Sequence, residues 1–204
     1  MNFRLAAAAL AACTVLSAHA SEVTSLTGAT TWDFGSSNYF GSGPQTVASG
    51  ITWSSDYGSS VYGYTGQYGF ANQGYWNGLS MIGTNTDAGS MTITFDTPVA
   101  AVGAFLNWAD GWSVAPTIAV YDTNGNLIES TQLTFSTPYG LNVGEFHGFQ
   151  ESSAIIGSIV FTGSYIGATQ FETVGIPAVP EPASMALMLA GLGALGIARR
   201  RRAR

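Results

Sequence analysis

Residues 117–135 read TIAVYDTNGNLIESTQLTF, two runs rich in β-branched residues on either side of a short polar segment. The polar segment contains Asn124-Gly125, a dipeptide that readily provides the positive φ angles of a tight hairpin turn. The sequence therefore predicts an antiparallel β-hairpin here. Its two strands are expected over Thr117–Tyr121 and Leu127–Thr134.

Alternation of apolar and polar residues extends this pattern to the rest of the chain. Residues 91–95 alternate strictly, which predicts a half-buried strand with Met91, Ile93 and Phe95 facing inward. Residues 158–161 have a similar, more apolar pattern. No stretch between the two ends has the period of a three-turn helix, and glycine is frequent throughout. We therefore expect an all-β domain over residues 21–176, an antiparallel β-sandwich of jelly-roll-like topology.

The charges of the chain are strongly segregated. The six basic residues are Arg4, Arg199, Arg200, Arg201, Arg202 and Arg204, all near the ends. Between Ser21 and Pro180 there are eleven carboxylates and no lysine or arginine, a formal charge of −11 with His147 neutral. Binding to phosphate groups needs basic side chains, so nucleic acid is excluded as a partner. Cations, neutral glycans or basic proteins remain as partners.

The first 20 residues have the pattern of a secretory signal peptide. Arg4 precedes an apolar stretch, and Ala18-His19-Ala20 is a small-x-small cleavage site, which predicts cleavage before Ser21 and export through the Sec translocon. The segment Leu10-Ala11-Ala12-Cys13 offers an alternative, because it resembles a lipobox in which Cys13 would be lipidated. Cys13 is the only cysteine, so the exported domain has no disulfide bond.

The C-terminal end has three consecutive parts. A linker, 177–182, contains Pro180-Glu181-Pro182, an uncharged stretch follows over 183–198, and residues 199–204 are arginine-rich. Sixteen helical residues span about 24 Å, a marginal length for crossing a bilayer. A run of arginines stays on the cytoplasmic side of a membrane, so Arg199, Arg200, Arg201 and Arg202 are expected to act as the cytoplasmic anchor of a transmembrane helix.

This tail resembles the PEP-CTERM sorting signal of Gram-negative bacteria, in which a Pro-Glu-Pro tripeptide, a weak transmembrane helix and terminal arginines occur in this order. The resemblance implies that an exosortase recognises Pro180, Glu181 and Pro182 and cleaves near them. It also implies transient anchoring in the inner membrane, followed by release to the outer envelope or an exopolysaccharide matrix. The preceding domain loosely resembles other PEP-CTERM ectodomains, which implies a fold style and no activity.

One segment, Trp53 to Trp76, is unusually rich in aromatic residues and glycine. Tyrosine and tryptophan have flat apolar faces that stack on sugar rings. The sequence thus offers a possible glycan-stacking set. Its members are Tyr62, Tyr64, Tyr68 and Trp76. The alternative is that these rings fill the core of the sandwich.

Metal and cofactor sites are not predicted, although calcium stays open as a weak alternative. Oxygen ligands come together at Asp122, Asn124, Asn126 and Glu129, yet Gly125 and Glu129 do not fall at EF-hand positions. A hairpin turn accounts for these residues fully. A metal bound elsewhere would use Asp87, Asp96 or Asp110.

Catalysis has little support in the sequence. His147 is the only histidine after the signal peptide, and no G-x-S-x-G motif selects a serine. We expect a non-enzymatic protein with a structural or adhesive role in the cell envelope or extracellular matrix. The alternatives are a module that binds exopolysaccharide and a two-carboxylate glycoside hydrolase. The acidic residues open to the second alternative are Glu129, Glu145, Glu151 and Glu172.

Overall fold

The computed structural model describes residues 21–65, 76, 78–138, 140–141 and 143–175. Within these ranges every regular element is a β-strand. The strands are β1 (Ser21–Val23), β2 (Thr30–Trp32), β3 (Tyr39–Phe40), β4 (Gln45–Ala48), β5 (Ile51–Ser55), β6 (Val61–Tyr64), β7 (Met81–Gly83), β8 (Gly89–Val99), β9 (Ala101–Asn107), β10 (Thr117–Tyr121), β11 (Leu127–Gln132), β12 (Glu145–Gln150), β13 (Ile156–Gly163) and β14 (Gly167–Val174).

The strands form two sheets, and within each sheet every pair of hydrogen-bonded strands is antiparallel. The eight-stranded sheet has the order β1-β12-β9-β14-β7-β6-β3, with β2 also paired to β14. The six-stranded sheet has the order β11-β10-β13-β8-β5-β4. The predicted all-β antiparallel sandwich is thus confirmed.

Strand β8 shows why the sequence adopts this architecture. Met91, Ile93 and Phe95 are buried, as the alternation predicts, while Thr92 and Thr94 between them are more exposed. Successive side chains of a strand point to opposite faces, so one face of β8 lines the core and the other faces solvent. The same alternation in β13 places Ile159 on the core side.

Aromatic rings join the two sheets across the core. Phe95 of the six-stranded sheet stacks on Phe171 of the eight-stranded sheet, with ring centroids 5.9 Å apart and an interplanar angle of 8°. Trp53 and Tyr62 make a second contact between the sheets, with centroids 5.4 Å apart. Large flat side chains bury much apolar area at once, which suits a sandwich with few charged residues and many glycines.

The hairpin between β10 and β11 is confirmed, but its turn differs from the expected one. Gly125 has a φ of 81°, whereas Asn124 is not among the residues with positive φ. Asp122 explains the difference, because its Oδ1 atom accepts the backbone N–H groups of Asn124 and Asn126 at 2.8 Å each. The turn is therefore organised by an aspartate side chain and needs only one left-handed residue.

These hydrogen bonds lower the pKa of Asp122, with the Asn126 side chain as the largest cause. A lowered folded pKa stabilises the fold above the unfolded pKa, near 3.8, and this contribution is lost as the pH falls through the folded value. Asp122→Ala should therefore lower the melting temperature clearly near pH 7 and little near pH 2. Thr123→Ala in the same turn is the control. An equal loss for Asp122→Ala at both pH values would contradict the assignment.

The two predicted terminal segments lie outside the described residues. This concerns the signal peptide, 1–20, the linker, 177–182, the predicted transmembrane helix, 183–198, and the arginine-rich end, 199–204. In the part of the chain that the structure describes, no helix has the length and apolar character needed to cross a membrane.

Candidate functional site

Three loops meet at one end of the sandwich: 84–88 between β7 and β8, 108–116 between β9 and β10, and 164–166 between β13 and β14. Ser164, which is buried, joins them. Its Oγ atom donates a hydrogen bond to the Asp87 carbonyl at 2.7 Å and accepts one from the Val114 N–H at 3.1 Å. The Ser164 carbonyl accepts a further bond from the Ala109 N–H at 2.9 Å. These bonds fix the three loops relative to one another.

An aromatic pair lies on the joined loops. The indole ring of Trp112 meets the phenol ring of Tyr165 edge to face, with centroids 5.2 Å apart and an interplanar angle of 76°. Trp112 is 49% exposed, in contrast to Trp53 and Trp76, which are buried in the core. An indole that is held by a neighbouring ring and still half open to solvent offers a flat apolar surface to a ligand.

Tyr165 has an unusual backbone conformation, with a φ of 49°. A bulky residue rarely adopts the left-handed region, and residues that do so are often found at functional sites. The Tyr165 N–H donates to the Thr86 carbonyl at 2.7 Å, which helps to hold this conformation. In this strained conformation the ring lies beside Trp112.

The loop end is acidic. Asp110 lies two residues before Trp112, and Asp87 lies in the adjoining loop. The Oδ1 atom of Asp110 is shielded from solvent and has no hydrogen-bond partner among the described residues. No basic side chain occurs in any of the three loops. Such a surface can bind a neutral molecule through ring stacking and carboxylate hydrogen bonds, and it disfavours an anion.

The residues of the predicted glycan-stacking set that the structure describes lie in different surroundings. Tyr62 is 5% exposed and its hydroxyl donates to the Thr46 carbonyl at 2.8 Å, while Trp76 is 1% exposed. Neither ring presents an open face, so these two residues fill the core, as the alternative interpretation held. Tyr64 is half-buried against Phe40, and Tyr68 lies outside the described residues.

At the hairpin, the carboxylate oxygens of Asp122, a candidate calcium ligand, accept hydrogen bonds within the turn itself. Asp122 uses Oδ1 for two backbone bonds and Oδ2 for the side-chain amide of Asn126 at 2.8 Å. Glu129 lies on β11 and contacts the following backbone N–H at 3.3 Å. Across the described ranges, no group of three or more His, Cys, Asp or Glu side chains is placed to hold a metal ion. The calcium hypothesis stays untested.

His147, the candidate catalytic base, lies buried between two carboxylates. Its Nδ1 atom is 3.3 Å from Glu22 Oε1 and its Nε2 atom is 3.1 Å from Glu145 Oε1. The Phe135 ring packs beside the imidazole, with centroids 5.0 Å apart. Both ring nitrogens thus face carboxylates, and the contact with Glu22 fastens β1 to β12.

The carboxylates considered for hydrolysis lie on different elements. Glu129 belongs to the six-stranded sheet, while Glu145 and Glu172 lie on strands of the eight-stranded sheet that are separated by β9. Glu151 follows β12 and is buried. Desolvation raises the pKa of Glu172 above its usual value. The expectation of a non-enzymatic protein stays a prediction.

Trp112 and Tyr165 were not singled out by sequence reasoning. They lie far apart in the chain, in two loops that only the fold brings together. The one local signal is Asp110-Gly111-Trp112, a turn-forming pair followed by a large aromatic residue in a loop. Gly111 has a φ of 86°, so the turn does use glycine at this position.

Solved structures that resemble part of this chain include two modules. One is a fucose binding module of Streptococcus pneumoniae, SpX-3, with a TM-score of 0.33 and 7% identity, covering 48% of this chain and 73% of that one. The other is CBM32-3 from a family 31 glycoside hydrolase of Clostridium perfringens, with a TM-score of 0.32 and 12% identity, covering 48% of this chain and 76% of that one. A search of curated proteins finds no matching relative.

The C-terminal tail has a clearer match. A family model described as the PEP-CTERM protein-sorting motif matches residues 178–202, which include Pro180-Glu181-Pro182 and Arg199 to Arg202. The resemblance noted in the sequence is thereby confirmed. The motif implies an exported protein that an exosortase processes and that is anchored in a membrane before cleavage. The chain thus contains an antiparallel β-sandwich domain followed by a PEP-CTERM sorting motif.

Proposed function

We propose that the β domain binds neutral glycans through the aromatic pair Trp112 and Tyr165, and acts as an adhesive component of the cell envelope or matrix. The observation that carries this proposal is the half-exposed indole of Trp112, held edge to face by Tyr165. Sugar rings have apolar C–H faces and polar rims, and they match an aromatic face flanked by carboxylate acceptors.

The rigidity of the loop end supports the proposal. A weakly apolar ligand contributes little favourable free energy of binding. The entropy lost when loops become ordered can easily offset it. Here the loops are already joined by the bonds of the buried Ser164 and by the N–H of Tyr165. The surface is therefore formed before a ligand arrives, and little ordering is needed on binding.

The charge of the domain restricts the class of glycan. With eleven carboxylates and no lysine or arginine between Ser21 and Pro180, the domain repels uronic acids, sulfated sugars and phosphate esters. Hydroxyl groups of a neutral sugar can donate to Asp87, which is exposed, without this penalty. Neutral polysaccharides are consequently the expected ligands, and binding to acidic polymers should be weaker at low salt.

The test is affinity electrophoresis of the exported domain in gels that contain neutral β-glucan, mannan or galactan. Wild-type protein should be retarded by at least one of these polymers, and Trp112→Ala should weaken that binding by about 10-fold or more, as expected for a buried aromatic contact of roughly 1.4–2 kcal/mol. Phe40→Ala is the control, because Phe40 is 59% exposed but lies on β3 at the edge of the sheet.

Three outcomes would overturn the proposal: no retardation of the wild-type protein by any neutral polymer, unchanged binding by Trp112→Ala, or an equal loss in Phe40→Ala. Soluble sugar should not be released from the polymers during the assay. Release that disappears in Glu→Gln variants would favour the hydrolase instead.

A further inference from the structure

Strand β14 changes its partner halfway along one edge. Residues 167–169 pair with β7, residues 171–173 pair with β2, and Gln170 lies between the two pairings. On the opposite edge, the register of β14 with β9 shifts at the same place. Such a bulge redirects a side chain away from the regular pleat. Gln170 is exposed at this point, although its neighbours Thr169 and Phe171 are buried.

A cleft opens at this change of partner, and we refer to it as the strand-switch cleft. Its volume is about 170 Å³. Its lining comes from β2 and β14, from the residue after β2 and from the two residues before β7. The lining residues are Thr31, Trp32, Asp33, Leu79, Ser80, Thr169 and Gln170. At ~30 Å³ for each water molecule, this space holds about five or six waters, which is the size of one sugar ring and too small for a chain of sugars.

The backbone of Gln170 is strained, with a φ of 44°. Glycine would adopt this left-handed backbone conformation at a lower energetic cost than glutamine does. Its side-chain amide makes no hydrogen bond to another residue of the described ranges. A strained residue whose polar group lines a cleft and has no hydrogen-bond partner among the described residues is better explained by a ligand than by folding.

The other polar groups of the strand-switch cleft are held in place. The Trp32 indole N–H donates to Thr173 Oγ1 at 2.8 Å, which fixes the plane of its ring. Asp33 Oδ1 accepts the Gly35 N–H at 2.6 Å, which leaves Oδ2 for another donor. Thr169 Oγ1 donates to the Ser80 carbonyl at 2.6 Å. A fixed ring, a carboxylate oxygen and an amide thus line one space, and neither of the two polar groups is hydrogen-bonded to another residue that the structure describes.

We propose that the strand-switch cleft is a second binding site, which takes a single neutral sugar ring. Trp32 contributes an apolar ring, Asp33 accepts sugar hydroxyls, and the Gln170 amide both donates and accepts. The site shares no residue with the pair formed by Trp112 and Tyr165, so it does not depend on the function proposed for that pair. A carboxylate at the rim selects against acidic sugars.

The test uses methyl glycosides of neutral hexoses, titrated into isotopically labelled protein while the Trp32 indole N–H resonance is followed by NMR. Wild-type protein should show a saturable shift of this resonance. Gln170→Gly should weaken the binding at least 10-fold and raise the melting temperature, because glycine adopts the positive φ without strain. A rise in stability together with a loss of binding separates a functional residue from a structural one.

Asn38→Gly is the matched control, since Asn38 also has a positive φ, of 47°, and does not line the cleft. It should leave the titration unchanged. Trp112→Ala should also leave it unchanged, and this arm distinguishes failure of the cleft from failure of the aromatic pair. The proposal is overturned by an unshifted Trp32 resonance in the wild type, by wild-type affinity in Gln170→Gly, or by preference for a uronic acid glycoside.

Discussion

Phe171→Ala should lower the free energy of unfolding by about 3–5 kcal/mol, the range for removing a large aromatic side chain from a core that cannot collapse around the cavity. Phe171 is fully buried and stacks on Phe95 across the two sheets, and it also contacts Phe34 at a centroid distance of 6.3 Å. Its removal therefore weakens the attachment of one sheet to the other as well as the local packing.

Urea unfolding of the exported domain measures this change. Phe40→Ala should cost less than about 1 kcal/mol, because most of the Phe40 ring is already in water. Phe171→Leu, which keeps most of the volume, should lie between the two and supplies a folded variant if the alanine variant does not fold. Losses of similar size for Phe171→Ala and Phe40→Ala would contradict the role assigned to the aromatic stack.

Gly148→Ala should cost about 3 kcal/mol, the upper part of the range for overpacking, although it adds a single methyl group. Gly148 of β12 lies opposite Gly103 of β9 in the eight-stranded sheet. A Cβ atom on Gly148 would lie 2.7 Å from the Gly103 Cα atom and would overlap the Val102 carbonyl. Both obstacles are backbone atoms, so the two strands would have to move apart.

Gly58→Ala is the control for this change, because nothing lies within 4 Å of a Cβ atom added there and its φ is not positive. It should alter stability by less than about 0.5 kcal/mol. Comparison of the two variants by thermal unfolding isolates the crowding between β9 and β12. A Gly148→Ala variant as stable as Gly58→Ala would mean that these strands are not packed as closely as the structure has them.

The strands could be predicted from the sequence because burial of one sheet face imposes a strict period of two. Met91, Ile93 and Phe95 show this directly, and the hairpin of β10 and β11 follows from its turn residues. The pairing of distant strands could not be predicted in the same way. The contact of β14 with β2, β7 and β9 depends on a bulge at Gln170, and no local pattern in the sequence marks it.

The candidate site was harder to predict than the fold for a physical reason. Aromatic residues serve equally well as core filling and as ligand platforms, and composition does not distinguish these uses. Tyr62 and Trp76 lie in the most aromatic segment and are buried, whereas Trp112 lies outside it, in a loop where Trp108 is buried and Trp112 is exposed. Exposure, which decides the matter, depends on which loops the sheets bring together.

The lack of basic side chains other than His147 in the domain has a consequence for its resistance to proteases. The His147 imidazole is the one basic side chain of the described domain, and it is enclosed by Glu22 and Glu145. The chain offers no lysine or arginine between Arg4 and Arg199. Proteases that cut after basic residues therefore find no bond to hydrolyse in this domain, even when it unfolds, and cross-linking reagents directed at lysine find no target.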